Sequence, residues 1–183
     1  QDMTSLGGKI LRVNDDGTVP HDNPFASAEW RAKKARPEIW SLGHRNPQGL
    51  DWHPENGERF ETEHGPSGSD GPFGGDEFNH IEKGKNYGWP SIHHAETKAG
   101  LVSPLIEWTP AVAPGSGTFY AGDALGEFKN SFFVGCLRGE AMYRIVLDGV
   151  KVVKQETVLD RFGRIRAIVE GPDGAIYFST SNL

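Results

Sequence analysis

Trp52-His53-Pro54-Glu55-Asn56-Gly57, followed by Phe60-Glu61-Thr62, and Glu170-Gly171-Pro172-Asp173-Gly174, followed by Tyr177-Phe178-Ser179-Thr180, spell one phrase twice. Each reads as a strand, a turn built from proline, an acidic residue and glycine, and a second strand. A second recurrence pairs Arg12-Val13-Asn14-Asp15-Asp16-Gly17 with Arg144-Ile145-Val146-Leu147-Asp148-Gly149. Its closing Asp-Gly favours a tight hairpin. Repetition of a strand-turn-strand unit decides the fold class before any single element does.

Outward from these phrases, 24 glycines and 12 prolines punctuate short β-rich runs. The strand candidates are residues 9–13, 38–42, 49–52, 59–63, 105–108, 118–120, 131–136, 141–147, 151–155, 165–170 and 175–180. Helical periodicity is confined to 26–35, a short surface helix. Short antiparallel strands without covering helices point to an all-β propeller, whose blades take four strands in about 40 to 50 residues. By that arithmetic residues 1–183 form one structural unit, a partial ring of three to four blades. An open ring exposes sheet edges, so a missing propeller half, or another copy of the chain, is expected beside it. A β-sandwich is the competing all-β architecture.

Lys and Arg number 19 against 25 Asp and Glu, a formal charge of -6, which argues against nucleic acid or an anionic membrane as the main partner. No apolar run reaches the roughly 18 residues of a membrane-spanning helix, and no leader peptide is visible at Gln1. The single cysteine, Cys136, lies among Phe133, Val134 and Leu137 and reads as a small buried side chain rather than a reactive thiol.

Three stretches carry residues with chemical potential. In Gly43-His44-Arg45-Asn46-Pro47-Gln48-Gly49-Leu50 a turn presents Arg45, a planar fork of donors suited to a carboxylate or quinone oxygen, beside Asn46 and Gln48. The alternative is that Asn46 and Gln48 only satisfy loop backbone. In Arg164-Ile165-Arg166 strand alternation sends both guanidinium groups to one face, with Ile165, Ala167 and Val169 on the other. Two like charges side by side need an anion, unless they simply face solvent; Arg161 reads as surface charge. Third, Glu61 to Pro66 and Gly74 to Asn79 set carboxylates and carbonyls among glycines, as a hard cation requires, though a solvated turn has the same composition. His93 and His94, adjacent on an extended segment, are expected to point apart and so to hold no metal. Of the five tryptophans, at least three are expected in cores.

In order along the chain, GHRNPQGL (43–50), EHGP (63–66), GDEFN (75–79) and GKNYGWP (84–90) resemble successive signatures of the soluble PQQ-dependent glucose and aldose sugar dehydrogenases, the glucose/sorbosone dehydrogenase-like family. The likeness runs from Leu6-Gly7-Gly8-Lys9-Ile10-Leu11-Arg12-Val13 through Asp22-Asn23-Pro24-Phe25 to Gly163-Arg164-Ile165-Arg166 and Gly171-Pro172-Asp173-Gly174. It implies a six-bladed quinoprotein propeller of which this chain is the C-terminal half. It implies oxidation of an aldose C1 hydroxyl to a lactone by hydride transfer to PQQ, with calcium assisting and an external electron acceptor. By resemblance Arg45 and Asn46 are catalytic and hold the cofactor with Arg138, Arg164, Arg166 and Ser116. The carbonyls of Gly65 and Pro66 bind the calcium that grips PQQ, and Glu77 with the Tyr87 carbonyl binds a second, structural calcium. A periplasmic or secreted location follows by analogy.

The chain departs from the family pattern at four points. The base histidine would precede Gln1, and none of the seven histidines matches it. Arg138 stands where the family has lysine; Gly115 stands where a hydroxyl is common, with Ser116 as the substitute; and residues 67–73 are inserted between EHGP and GGDE. Arg138, Gly115 and the insertion motivate the competing reading of a non-catalytic propeller scaffold binding protein or carbohydrate, and a calcium-stabilised structural module is a third reading.

Overall fold

The computed structural model describes residues 1–181. Its strands are β1 (Lys9–Leu11), β2 (Ile39–Leu42), β3 (Pro47–Trp52), β4 (Arg59–Glu63), β5 (Asp76–Ile81), β6 (Ile106–Trp108), β7 (Pro114–Phe119), β8 (Phe132–Cys136), β9 (Ala141–Asp148), β10 (Lys151–Leu159), β11 (Ile165–Glu170) and β12 (Ile176–Thr180), with one short helix α1 (Ala28–Ala32). They form two four-stranded antiparallel meanders, β3-β4-β5-β6 and β7-β8-β9-β10, flanked by the pairs β1-β2 and β11-β12. The architecture is all-β and propeller-type, with two whole blades and two half blades where three to four blades were expected.

The repeated phrase does what its composition predicts. Its two copies close the hairpins β3–β4 and β11–β12, with Gly57 at φ 71 and Gly174 at φ 76. Asp148-Gly149 closes β9–β10 in the same way. Asn14 to Gly17 also turns, but no hairpin follows, because β1 pairs with β2 instead. The Asn23 amide bonds the carbonyls of both Arg12 and Pro37 at 2.9 and 3.0 Å, fastening the intervening segment across the chain.

The sheets are joined through β3, β7 and β11. Asp51 of β3 accepts the Phe119 N–H (2.7 Å) and the Thr118 hydroxyl (3.0 Å), and Gly49 lies so close that an added Cβ would sit 2.6 Å from the Gly117 nitrogen. On the other side the Ser116 Oγ accepts the Ile168 N–H (2.9 Å) and Glu170 accepts that of Ala121 (2.7 Å). Partners advance together along all three strands, so the strands run the same way and their first residues share one end. That end also collects the last residues of β4 and β8, since Pro47 pairs with Glu63 and Pro114 with Cys136.

Between the whole blades Phe60, Phe78 and Trp108 pack against Phe119, Phe132, Val134 and Ile145. Phe133, on the opposite face of β8, joins Tyr120, Met142, Ile165 and Ile168 in the next layer. Each such buried side chain contributes roughly 1.5–3 kcal/mol relative to exposure. Cys136 is fully buried in the first layer, and burial pushes its thiol up to about 12.

Three expectations need correction. Residues 76–79, read as part of a loop, begin β5, a central strand; the flanking glycines disguised it. In β11, Ile165 and Ile168 are buried while Ala167 and Val169 are exposed, because a bulge between Ile165 and Ala167 shifts the register and turns the following residues over. Trp40 and Trp108 are the buried tryptophans; Trp30 packs partly on a core, and Trp52 is 51% exposed.

Candidate functional site

The turn between β2 and β3 is held by the GKNYGWP stretch. At Gly43, with φ 83, a Cβ would lie 2.1 Å from Asn86 Oδ1 and 2.5 Å from the Gly88 nitrogen, so this contact requires glycine. The Tyr87 N–H reaches the Leu42 carbonyl (2.8 Å) and the Trp89 N–H that of Gly43 (2.9 Å). The backbone N–H groups of Arg45 and Asn46 both donate to Glu63 Oε2, at 2.8 and 3.2 Å. Asn46 and Gln48 are exposed and bond each other (3.0 Å) rather than the loop backbone.

Arg45 is half-buried, with each of its three guanidinium nitrogens engaged. Nε meets Asp70 Oδ2 at 2.8 Å, Nη2 meets Ser67 Oγ at 2.6 Å, and Nη1 donates to the His64 carbonyl at 3.1 Å. The guanidinium also lies 5.8 Å from the Trp89 ring centroid. Asp70 and Ser67 belong to the inserted residues 67–73, and Arg45 holds the Asp70 carboxyl below its usual range. Phe73, at the far end of the insertion, lies 4.6 Å beneath the Arg138 guanidinium.

Across this insertion lies a cavity of about 190 Å³ bordered by Gly65, Pro66, Ser67, Phe73, Ala113 and Arg138. Gly65 packs flat on the next motif, where a Cβ would come within 2.1 and 2.3 Å of the Gly74 and Gly75 oxygens. The buried Asp76 carboxylate fixes both walls, accepting the N–H of Gly65 (2.9 Å) and of Ala113 (2.6 Å). His64 Nε2 lies 2.8 Å from the Pro114 carbonyl, to which it can donate. The Pro66 carbonyl accepts from Gly74 (3.3 Å).

Arg164 donates to the carbonyl of Leu137, Arg138's neighbour, at 3.3 Å. Arg166 is exposed, and its carbonyl lies 2.2 Å from where a Gly115 Cβ would stand. All the basic candidates therefore lie at the shared strand end. Arg45 and Arg138 are linked through the insertion and Arg138 and Arg164 through Leu137, while the Ser116 Oγ serves the joint between β7 and β11.

Behind the Arg45 turn lies a buried acidic group. Asn79 offers one amide to three carboxylates: Glu61 (3.3 Å), Glu63 (3.2 Å) and Glu77 (3.0 Å). Burial, then the Glu63 charge, raises the Glu77 carboxyl to about 9 and pushes Glu61 well above its usual range. A cavity of about 10 Å³ borders Glu63, Gly65, Pro66, Glu77 and Tyr87. That is about the space of one water molecule or small ion. The Tyr87 ring stacks on His44 at 4.6 Å and its hydroxyl donates to the His80 carbonyl.

Glu61, Asp76 and Asn79 lie within the two stretches whose carboxylates and carbonyls suit a hard cation, but their separate partners are not readable from sequence. Alternation on β4, which puts Glu61 and Glu63 on one face, was the available signal. His93 and His94 do not point apart: with φ 55 at His94 the chain leaves the extended form, and their Nδ1 atoms approach to 3.2 Å.

Comparison with known proteins bears directly on this arrangement. The family model described as Glucose / Sorbosone dehydrogenase matches residues 1–183. The aldose sugar dehydrogenase YliI of Escherichia coli is 37% identical over 98% of the chain and 50% of its own length. The solved apo-form of the soluble aldose sugar dehydrogenase from Escherichia coli superposes with a TM-score of 0.83 at 36% identity, covering 97% of this chain and 52% of that one. The PQQ-bound aldose sugar dehydrogenase from Streptomyces coelicolor gives 0.78 at 32%, covering 99% and 48%. The chain thus spans about half the length of the relatives it matches.

Proposed function

Because the chain belongs to the glucose/sorbosone dehydrogenase family, we propose that it supplies the cofactor-holding end of a PQQ-dependent sugar dehydrogenase. The reaction is oxidation of an aldose C1 hydroxyl to the lactone, with calcium assisting and an external acceptor taking the electrons. One observation carries the reading: Arg45, Arg138 and the Gly65-Pro66 turn surround the inserted segment at one strand end, with Arg45 already gripping a carboxylate there.

The residues fit a flat polyanion and a hard cation. Asp70 shows that an anionic oxygen can sit in the Arg45 fork, and the cavity of about 10 Å³ bordered by Gly65, Pro66, Glu77 and Tyr87 has room for one small ion. Arg45 and Asn46 would hold the quinone oxygens, and Arg138, Arg164 and Arg166 the carboxylates, with Ser116 offering its remaining O–H. The carbonyls of Gly65 and Pro66 would hold the catalytic calcium, and Glu77 with the Tyr87 carbonyl a structural one. When bound, PQQ supplies the hydride acceptor, chemistry the polypeptide lacks.

What the chain contributes is charge and position. Arg45 is a fixed cation aimed where negative charge develops, and such donors contribute roughly 10²- to 10³-fold each. Glu63, by accepting the N–H groups of Arg45 and Asn46, sets the turn from which both side chains project. The His64 imidazole, bonded to the Pro114 carbonyl, positions the EHGP turn; acceptance of the sugar hydroxyl proton is assigned to the family's base histidine, outside these residues.

The non-catalytic scaffold remains the second reading, favoured by the insertion that occupies Arg45 and covers Arg138. Titration with PQQ and calcium, followed by cofactor absorbance, separates the two. Saturable binding lost in Arg45→Ala supports the dehydrogenase; no binding to either protein, with carbohydrate or protein binding unaffected by that substitution, supports the scaffold.

A further inference from the structure

The acidic group behind the Arg45 turn contains more ligand atoms than the calcium assignment uses. His44, Glu61 and Glu63 are all buried, and each offers a ligand atom within 4.8 Å of the others'. They come from different elements: His44 from the turn before β3, the two glutamates from one face of β4.

Two of these side chains hold polar atoms without partners. Among the described residues no hydrogen bond reaches His44 Nδ1 or Glu61 Oε1, although both residues are fully buried. A buried polar atom left so costs about 1–3 kcal/mol, more when charged. The opposite ring nitrogen, Nε2, lies 2.8 Å from Ser41 Oγ. In the tautomer that donates from Nε2 to the Ser41 hydroxyl, Nδ1 carries the lone pair, the orienting pattern of metal-ligating histidine. His44 Nδ1 stands 3.5 Å from Glu63 Oε1, a spacing one ion could bridge.

No lysine or arginine forms an ion pair with Glu61 or Glu63 among the described residues. The Asn79 amide has only two N–H groups to share among three carboxylates. Buried carboxylates in such a setting are paired with protons or with a cation.

We propose that His44 Nδ1, Glu61 and Glu63 hold a first-row divalent transition-metal ion, separate from the calcium assigned to Glu77 and Tyr87. One imidazole nitrogen with two carboxylates suits zinc or manganese better than calcium, which takes oxygen ligands. The ion would clip the turn carrying Arg45 to β4, so its role is to position the anion-binding end. The site does not depend on the sugar-oxidising reading.

The test uses the 183-residue chain, stripped with chelator and dialysed against manganese or zinc in excess calcium. Bound metal is counted by mass spectrometry, and the manganese form is read by pulsed electron paramagnetic resonance for coupling to a ligand nitrogen. The expected result is retention of one ion with nitrogen coupling, affinity reduced at least about tenfold in Glu61→Gln, and loss of coupling in His44→Gln. Glu77→Gln should keep the ion. The proposal is overturned if no transition metal survives dialysis, if the bound ion lacks nitrogen coupling, if Glu61→Gln binds like the parent, or if Glu77→Gln alone abolishes binding. Glutamine preserves shape and removes a buried charge, so failure to fold is not the expected outcome; circular dichroism of each variant checks it.

Discussion

Asp70 Oδ2 lies 2.8 Å from Arg45 Nε, so an aspartate of the inserted segment occupies the fork that the proposed cofactor needs. An anionic ligand must displace that carboxylate before it can bind. Asp70→Asn keeps the loop's size and removes the competing charge. Since pairs with this exposure contribute little, PQQ affinity should rise only about two- to fivefold in the variant. Stopped-flow binding should place the gain mainly in association, and it should shrink at high salt. An unchanged or weaker affinity would show that Asp70 helps to hold the ligand.

The backbone around Gly115 leaves no room for the hydroxyl-bearing residue that the family resemblance leads one to expect there. Its Cβ would stand 2.2 Å from the Arg166 carbonyl, a backbone atom in the neighbouring blade that has no rotamer to yield. Gly115→Ser should destabilise the chain by roughly 1–3 kcal/mol and lower the melting temperature by several degrees. Ser116→Ala removes the acceptor for the Ile168 N–H and should cost about 1 kcal/mol. Equal melting temperatures for parent and Gly115→Ser would mean that β7 and β11 are not in register as described.

The Asp76 carboxylate holds two loops by two short bonds, to Gly65 and Ala113. Asp76→Ala strands both N–H donors in a buried place and should cost about 2–5 kcal/mol in denaturant unfolding. It should also release the EHGP turn, raising amide hydrogen exchange at Gly65 more than in β9. Exchange rising equally everywhere would make Asp76 a general core residue rather than a clamp on this turn.

How much of this was legible depended on the range over which each signal acts. The turn phrases were local, so hairpins β3–β4, β9–β10 and β11–β12 could be read from proline, acid and glycine alone. Pairing of β1 with β2 could not, because it joins residues some thirty positions apart, with Asn23 bridging Arg12 and Pro37 across the gap. The bulge that turns over Ala167 and Val169 leaves no mark in composition, so simple alternation misplaced them. The motif residues gather at one end because β3, β7 and β11 run together, a tertiary fact carried by Asp51 and Glu170. The carboxylate-rich stretches around Glu61 and Asn79 are visible in sequence, but the meeting of three carboxylates at one amide is not, because it depends on the register of β4 and β5.

That meeting makes stability depend on pH in a direction opposite to acid denaturation. The Glu77 carboxyl titrates near 9 in the folded chain, against about 4.5 for an ordinary glutamate. Below the ordinary value both folded and unfolded chains hold the proton, and the full contribution is present. Between the two values the unfolded chain releases its proton while the folded chain keeps it, so folding is progressively disfavoured as pH rises towards 9. In chelator, therefore, the melting temperature should fall between pH 5 and pH 9, by about 5–10 °C. Calcium pairs with the ionised carboxylate and should flatten that fall, most strongly at the alkaline end. Glu77→Gln should melt higher than the parent in chelator at pH 8 and respond less to calcium. If the parent instead gains stability steadily with pH in chelator, the carboxylates are paired with something in the fold, and neither cation assignment in this region would stand.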